Sequence, residues 1–394
     1  MTIYEGDGVP GKVAAEDYRR QRQRADHGRD GFADEVRAKF DDFIQNGHDT
    51  ILALAEGIAL DEQQAEAVTD ELFREVTTEA VSPIDEPFGH RIVRGIVGEI
   101  EAMCADGGIQ IREGVVVGVS PTEGLHAYQG EVLETGASII DFASPFFTFC
   151  NQFAILMART LRYDRDGKDV TICCNPALAP EILEMDRGLF RAWGLLFIGY
   201  AIEGWPQDLP RLAVDRERSA TRIQILHAME LFAVSHEYGH HVLRHGLVSS
   251  SEPDHDGENM EHDADSFARM VSTAIGTNGE SPNPYEMSGT GGVLMLGALD
   301  LVRRTRHVLS AGNTDFPLRV THPQLVERIA HIGTLDEFSP EKYREGFAGM
   351  RDDFLGIIEV IWAAIEPGLL DMHHKRGVKI PAGGNVGIDW ISLI

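Results

Sequence analysis

The sequence predicts an α+β fold that is mostly helical and contains one small sheet. Apolar residues recur at helical spacing over most of the 394 residues, which is the main sign of helix. β-Branched residues gather near glycines in only a few short segments, which limits the predicted sheet. Apolar residues make up 43% of the chain, so the sequence can bury a sizeable core.

The N-terminal part is predicted to be helical from residue 31 to residue 110. Apolar side chains such as Phe40, Phe43 and Ile51 recur there at the spacing of one helix face. We expect residues 1–30, which are mostly polar, to be loose. The basic run RRQRQR at Arg19–Arg24 is interpreted as a solvated helix face.

The predicted strands lie in the middle of the chain. Residues 109–120, 130–140 and 169–176 are rich in β-branched side chains, and the last of these segments ends in Asn-Pro. Residues 146–161 and 181–205 are apolar over longer stretches and are predicted to form buried helices.

A long helix is predicted from Ser219 to His245, ended by Gly246 because glycine is a favourable residue just after a helix. The stretches 246–259 and 276–292 are rich in Gly, Ser, Asn and Pro and are predicted to be loops. Helices are expected at 260–275, 293–310, 323–332 and 340–365.

Charge and composition argue against several classes of partner. The formal net charge is −28, so nucleic acid and anionic lipid should repel the chain, and we expect neither as a partner. No signal peptide and no apolar run of about 18 residues is visible. The four cysteines show no metal-binding or disulfide spacing. These features predict a cytoplasmic location.

The stretch FAVSHEYGHHVLRHG, at 232–246, carries the strongest chemical signal. His236 and His240 lie four residues apart, about 400° round a helix, so both rings project from one face. Zinc accepts two imidazoles in this arrangement, the H-E-x-x-H pattern. Glu237 is one step round the helix, where it can take a proton from a metal-bound water. His241 and His245 fall on other faces, and we interpret both as histidines of the helix surface or of its C-terminal turn, where the helix dipole favours them.

A third metal ligand is expected from the helix that follows. In the segment EHDAD, Glu261 and Asp265 lie four residues apart and so share a helix face. Glu261 is the predicted ligand, with Asp265 accepting a hydrogen bond from the second ring nitrogen of a ligand histidine. His262 and Asp263 are alternative ligands in the same segment.

The pattern HEYGH followed by EHDAD and SFA resembles that of the gluzincin metallopeptidases. The form E-x-x-A-D-x-F-A looks most like the CAAX-prenyl-protease-like family and its soluble bacterial members. The segment VTHPQLVERIAHI, at 320–332, is similar to a histidine-proline segment that often follows in that family. A weaker similarity is to the phage-exclusion protease Lit. The resemblance covers about residues 219–332.

The resemblance implies a zincin-like core with one Zn²⁺ per chain, in which His236, His240 and Glu261 are the ligands. It implies Glu237 as general base and Asp265 as the residue that supports a ligand. For the oxyanion-stabilising donor it favours His322 over the other downstream candidates. Those candidates are Tyr285, His307 and Tyr343.

On this basis the chain divides into four predicted regions. They are a helical region at 1–110, a strand-containing region with buried helices at 111–215, the zincin catalytic core at 216–335 and a C-terminal helical region at 336–394.

The predicted function is a zinc-dependent endopeptidase with a narrow range of protein or peptide substrates. Two alternatives stay open: a regulatory metallopeptidase-like protein that acts on one partner, of repressor or defence type, and a pseudo-enzyme that keeps zinc for stability. An intact Glu237 argues against the pseudo-enzyme, since a structural zinc site needs no base. The sequence does not predict the oligomeric state.

Overall fold

The computed structural model describes residues 8–27, 34, 38, 41, 63–67, 69–70, 82–167, 169–205, 216–245, 257–278, 282–316 and 324–380. Within these residues the chain is mostly helical with a small sheet, as predicted. It divides into two compact units. Unit 1 comprises 1–122, 127–144 and 237–255, and unit 2 comprises 123–126, 145–236 and 256–394. The predicted division into four regions stays a prediction.

Two helices and three strands form most of the described part of unit 1. They are α1 (Gly8–His27), α2 (Pro87–Asp106), β1 (Val115–Ser120), β2 (Ala127–Val132) and β3 (Ala137–Ala143). The sheet has the order β1-β3-β2, with β1 parallel and β2 antiparallel to the central β3. Helix α2 begins with Pro87, and the side chain of Glu86 accepts hydrogen bonds from the first free backbone amides.

The prediction that residues 1–30 are loose is wrong for α1, whose basic run is partly buried. Arg19 is fully buried and forms ion pairs with Asp85 at 2.5 Å and Asp141 at 2.9 Å. A side chain on Gly118 of β1 would overlap the Arg19 guanidinium, so glycine makes room for it. A buried charge needs an oppositely charged partner. Both partners of Arg19 lie far along the chain, so the local polarity of the basic run predicts an exposed face.

Unit 2 begins with a buried helix, a hairpin and two further helices. These are α3 (Ser144–Thr160), β4 (Arg162–Asp166), β5 (Asp169–Cys173), a 3₁₀ turn (Pro176–Leu178), α4 (Ala179–Met185) and α5 (Arg187–Glu203). Aromatic rings of α3 and α5 pack edge to face, including Phe153 with Trp193 and Phe149 with Tyr200. Burial of these rings supplies much of the apolar core at this end of unit 2.

The remaining elements are α6 (Arg216–Leu243), α7 (Gly257–Asn278), α8 (Pro284–Met287), α9 (Thr290–Ala311), α10 (Leu325–Thr334), a 3₁₀ turn (Leu335–Phe338) and α11 (Glu341–Lys375). The prediction that all of 276–292 is a loop is wrong, because α7 extends to Asn278, and α8 and the start of α9 lie within it. In the described residues no helix is both long enough and apolar enough to cross a membrane.

Helices α6 and α9 approach each other closely within unit 2. A side chain on Gly291 would overlap the backbone oxygen of Ala228, and one on Gly292 would overlap the ring of Phe232. Gly291 and Gly292, in a stretch predicted as a loop, therefore leave room for α6 to pack closely against α9. This contact fixes α6 one turn before His236.

Candidate metal centre

Helix α6 places His236 at the end of a buried apolar stripe, as predicted from the spacing. Ile225, Met229 and Phe232 are at most 1% exposed, and His236 is itself 1% exposed. The ring of Phe232 stacks on that of His236 with centroids 6.5 Å apart. His240 follows one turn later on the same helix and is half-buried. The burial removes competing water from the imidazole of His236.

Helix α7 brings two carboxylates to the two nitrogens of His236. Oε2 of Glu261 lies 3.5 Å from Nε2 of His236, and Oδ1 of Asp265 lies 3.0 Å from Nδ1 of the same ring. The four-residue spacing of Glu261 and Asp265 thus places them on one helix face, as expected. Asp265 is fully buried, so this hydrogen bond is shielded from solvent.

His236, His240 and Glu261 form the group of potential metal ligands in the described residues. One ligand atom from each lies within 4.8 Å of the others. Tetrahedral zinc with bonds of about 2.1 Å would hold its ligand atoms about 3.4 Å apart. The separation of 3.5 Å between His236 Nε2 and Glu261 Oε2 matches that value. Two imidazoles and one carboxylate are also a donor set typical of catalytic zinc.

An arginine that the sequence did not single out completes this cluster. Arg328 of α10 is 1% exposed and donates to both carboxylate oxygens of Asp265, from Nε at 2.7 Å and from Nη2 at 2.6 Å. Its Nη1 also lies 3.4 Å from Oε2 of Glu261. The two-pronged contact fixes the plane of the Asp265 carboxylate and so the direction of its bond to His236.

The charges of this cluster determine its protonation. Burial disfavours the charged form of His236, but Asp265 and Glu261 outweigh that effect and raise its pKa to about 9. Burial also disfavours ionised Asp265, yet the charge and hydrogen bonds of Arg328, together with His236, keep its pKa below the usual range. Asp265 is therefore a carboxylate at neutral pH, able to accept the ring N–H of His236.

Glu237, the predicted general base, is 4% exposed and lies on α6 between the two histidines in sequence. The next residue, Tyr238, is also buried, and its hydroxyl donates to Glu101 of α2 at 3.1 Å. The side chain of Glu237 is therefore largely shielded from bulk water.

His241 and His245 both lie at the C-terminal end of α6, one of the two expected positions, but the alternative of a surface position is wrong for His241. His241 is fully buried in unit 1, where its Nδ1 contacts Ser138 Oγ at 2.6 Å and its Nε2 contacts the carbonyl of Arg112 at 3.0 Å. Burial, followed by the Arg112 charge, lowers the pKa of His241 to about 4, so its ring is neutral. His245 is half-buried and lies against His240. Helical spacing alone does not predict these contacts of His241 and His245.

Three other predicted residues are not part of the metal grouping. His322 lies outside the described residues. His262 packs against the ring of His331 and Asp263 is exposed, so the metal grouping takes Glu261 from this segment.

The remaining oxyanion candidates contact other parts of unit 2. Tyr285 packs on Phe354, His307 lies 3.1 Å from Asn313, and Tyr343 stacks on Phe347.

Comparison with protein-family models, curated proteins and solved structures finds no match to this chain.

Proposed function

We propose that this protein is a zinc-dependent endopeptidase of the gluzincin type with a zincin-like core, whose one zinc is held by His236, His240 and Glu261. The observation that carries the proposal is the convergence of these three side chains, from two helices, with one potential ligand atom of each within 4.8 Å of the others. Three protein ligands leave a fourth position open, as in catalytic rather than structural zinc sites.

Bound zinc would lower the pKa of a coordinated water towards about 7 and polarise the carbonyl of the scissile peptide bond. Glu237 accepts the proton of the attacking water and passes it to the leaving amine. Asp265, which Arg328 keeps ionised, accepts the Nδ1–H of His236 and so leaves Nε2 of that ring for the metal. This chain of buried hydrogen bonds orients the ligand ring before metal arrives.

The long part of the chain before the metal-binding helix supports a narrow range of protein or peptide substrates. About 200 residues precede α6, and their described parts form ordered helices and a sheet. Such parts can restrict which chains reach the catalytic residues. The proposed location is the cytoplasm, and fractionation of expressing cells tests it.

The second candidate is a regulatory metallopeptidase that cleaves one partner, of repressor or defence type. The same cluster and the same Glu237 serve both functions, so the number of substrates separates them. The buried and intact Glu237 argues against a pseudo-enzyme that keeps zinc only for stability.

The test compares wild type with Glu237→Gln, which is nearly the same size and cannot act as a base. Each is purified with zinc and incubated with casein and with a cytosolic lysate, and new N-termini are mapped by mass spectrometry. We expect a few discrete products with wild type and none with the variant, while zinc content and melting temperature are equal. One cleaved protein favours the regulatory candidate. Equal cleavage by the two proteins would contradict the role of Glu237.

A further inference from the structure

The chain leaves helix α6 through a residue with a left-handed backbone. The helix ends at Leu243, and Arg244 has φ of 61°, a conformation that costs energy for a residue other than glycine. The amide of Arg244 donates to the carbonyl of His241 at 3.2 Å. His245, the next residue, is thereby removed from the direction that a continuing helix would give it.

The turn brings His245 back onto a proposed metal ligand. Nδ1 of His245 lies 2.7 Å from Nδ1 of His240, and the two rings meet edge to face with centroids 4.9 Å apart. Two ring nitrogens at this distance share one proton, so one donates and the other accepts. Since Nδ1 of His240 is occupied by this bond, Nε2 is the nitrogen that remains for a metal.

We propose that His245 is a positioning residue for the metal centre: its Nδ1 accepts the Nδ1–H of His240 and so holds the His240 ring with Nε2 towards the ion. The inference rests on the proposed function, because it assigns His240 to the metal. It gives each ligand histidine its own partner, since Asp265 already contacts Nδ1 of His236 at 3.0 Å. Metal-binding histidines usually donate their second N–H in this way.

The two partners differ in charge. Asp265 is an ionised, fully buried carboxylate, whereas His245 is half-buried and accepts as a neutral ring. A hydrogen bond to a neutral acceptor is weaker than one to a carboxylate. We therefore expect loss of His245 to weaken zinc binding less than loss of Asp265 does.

The experiment measures zinc affinity of the full chain by competition with a chromophoric chelator, independently of proteolysis. His245→Ala removes the acceptor and should weaken zinc binding about 10-fold, at the low end of the range for such partners. His245→Phe keeps a ring without an acceptor and should bind as weakly as His245→Ala. His245→Asn places an oxygen where Nδ1 was and should bind close to wild type.

A second pair of variants tests the turn without touching either ring. Arg244→Gly suits the left-handed backbone and should keep wild-type affinity. Arg244→Val disfavours that backbone and should weaken zinc binding in the same direction as His245→Ala. His374→Ala, at the end of α11, serves as a histidine control and should leave affinity unchanged.

The outcomes separate this inference from the proposed function. If wild type binds zinc and His245→Ala binds it equally well, the positioning role is overturned and the proposed function stands. If His245→Asn is as weak as His245→Ala, an acceptor role is overturned as well. If wild type itself binds no zinc, the proposed function fails. Melting curves of the metal-free variants confirm that all are folded.

Discussion

Arg328 and Asp265 form a buried ion pair in which two guanidinium nitrogens face two carboxylate oxygens, at 2.7 and 2.6 Å. Both side chains are at most 1% exposed. The pair connects α10 to α7 and, through Asp265, to His236 of α6. It therefore contributes to two properties, the stability of unit 2 and the orientation of a proposed ligand.

We expect Arg328→Met to destabilise the protein by about 3–5 kcal/mol, because it leaves the charge of Asp265 buried without its main partner. Arg328→Lys should rescue only part of this loss, since lysine cannot make the two-pronged contact. Urea denaturation of the metal-free protein measures both changes. Arg344→Met, on α11, is the control, because its guanidinium donates to the backbone carbonyls of Ser339 and Glu337. Equal stability of Arg328→Met and wild type would contradict this prediction.

Local spacing predicts the parts of the candidate site that lie on a single helix. The pairs His236–His240 and Glu261–Asp265 each share a helix face, and periodicity alone predicts this. Arg328 was missed because its role depends on a contact with Asp265, 63 residues earlier in the chain. Arginine side chains are mostly exposed, and the residues next to Arg328 in the sequence do not show that this one is buried.

The same limit explains the errors in the fold. The sequence predicts an exposed Arg19 because its two acidic partners lie far along the chain. The sequence predicts a loop at Gly291 because glycine is common in loops, whereas here this glycine lies in the first turn of α9 and allows close approach to Ala228. Helical geometry predicts that His245 lies away from the metal ligands, because the sequence places the end of α6 two residues later than it occurs.

Zinc content tests the ligand assignment. His240→Ala should reduce bound zinc from one ion per chain towards zero after dialysis against buffer without chelator, because two ligands hold zinc far less tightly than three. Metal analysis by mass spectrometry measures the ratio of zinc to protein. His374→Ala should retain the wild-type ratio. Full zinc content in His240→Ala would remove His240 from the site.

Packing of α6 against α9 predicts the effect of one added methyl group. Gly291→Ala should destabilise the protein by about 1–3 kcal/mol, because the new Cβ would overlap the carbonyl of Ala228 and must displace one helix. Gly346→Ala is the matched control, since a Cβ at this exposed position of α11 meets nothing within 4 Å. Alanine should there stabilise the helix by up to about 1 kcal/mol. Thermal melts that rank the two variants in the opposite order would contradict the close approach.

A buried acid on α6 predicts how stability changes with pH. Glu230 is 6% exposed, and burial raises its pKa from 4.5 to about 8, although the nearby charges of His227 and Arg222 oppose the rise. Burial raises the pKa of the Cys150 thiol on α3, and a charge on the nearby Glu230 raises it further. Glu230 is therefore mostly protonated at neutral pH in the folded protein, whereas it is ionised in the unfolded chain.

The sign follows from proton binding. Between pH 4.5 and about 8 the folded state holds a proton that the unfolded state has released, so the contribution of Glu230 to stability falls as pH rises. The slope approaches about 1.4 kcal/mol per pH unit. Glu230→Gln removes this titration. The difference in free energy of unfolding between variant and wild type cancels the contributions of most other titrating groups. Urea denaturation at pH 5 and pH 8 should show the variant gaining stability relative to wild type as pH rises. A difference that stays constant with pH would mean that Glu230 ionises normally in the folded protein.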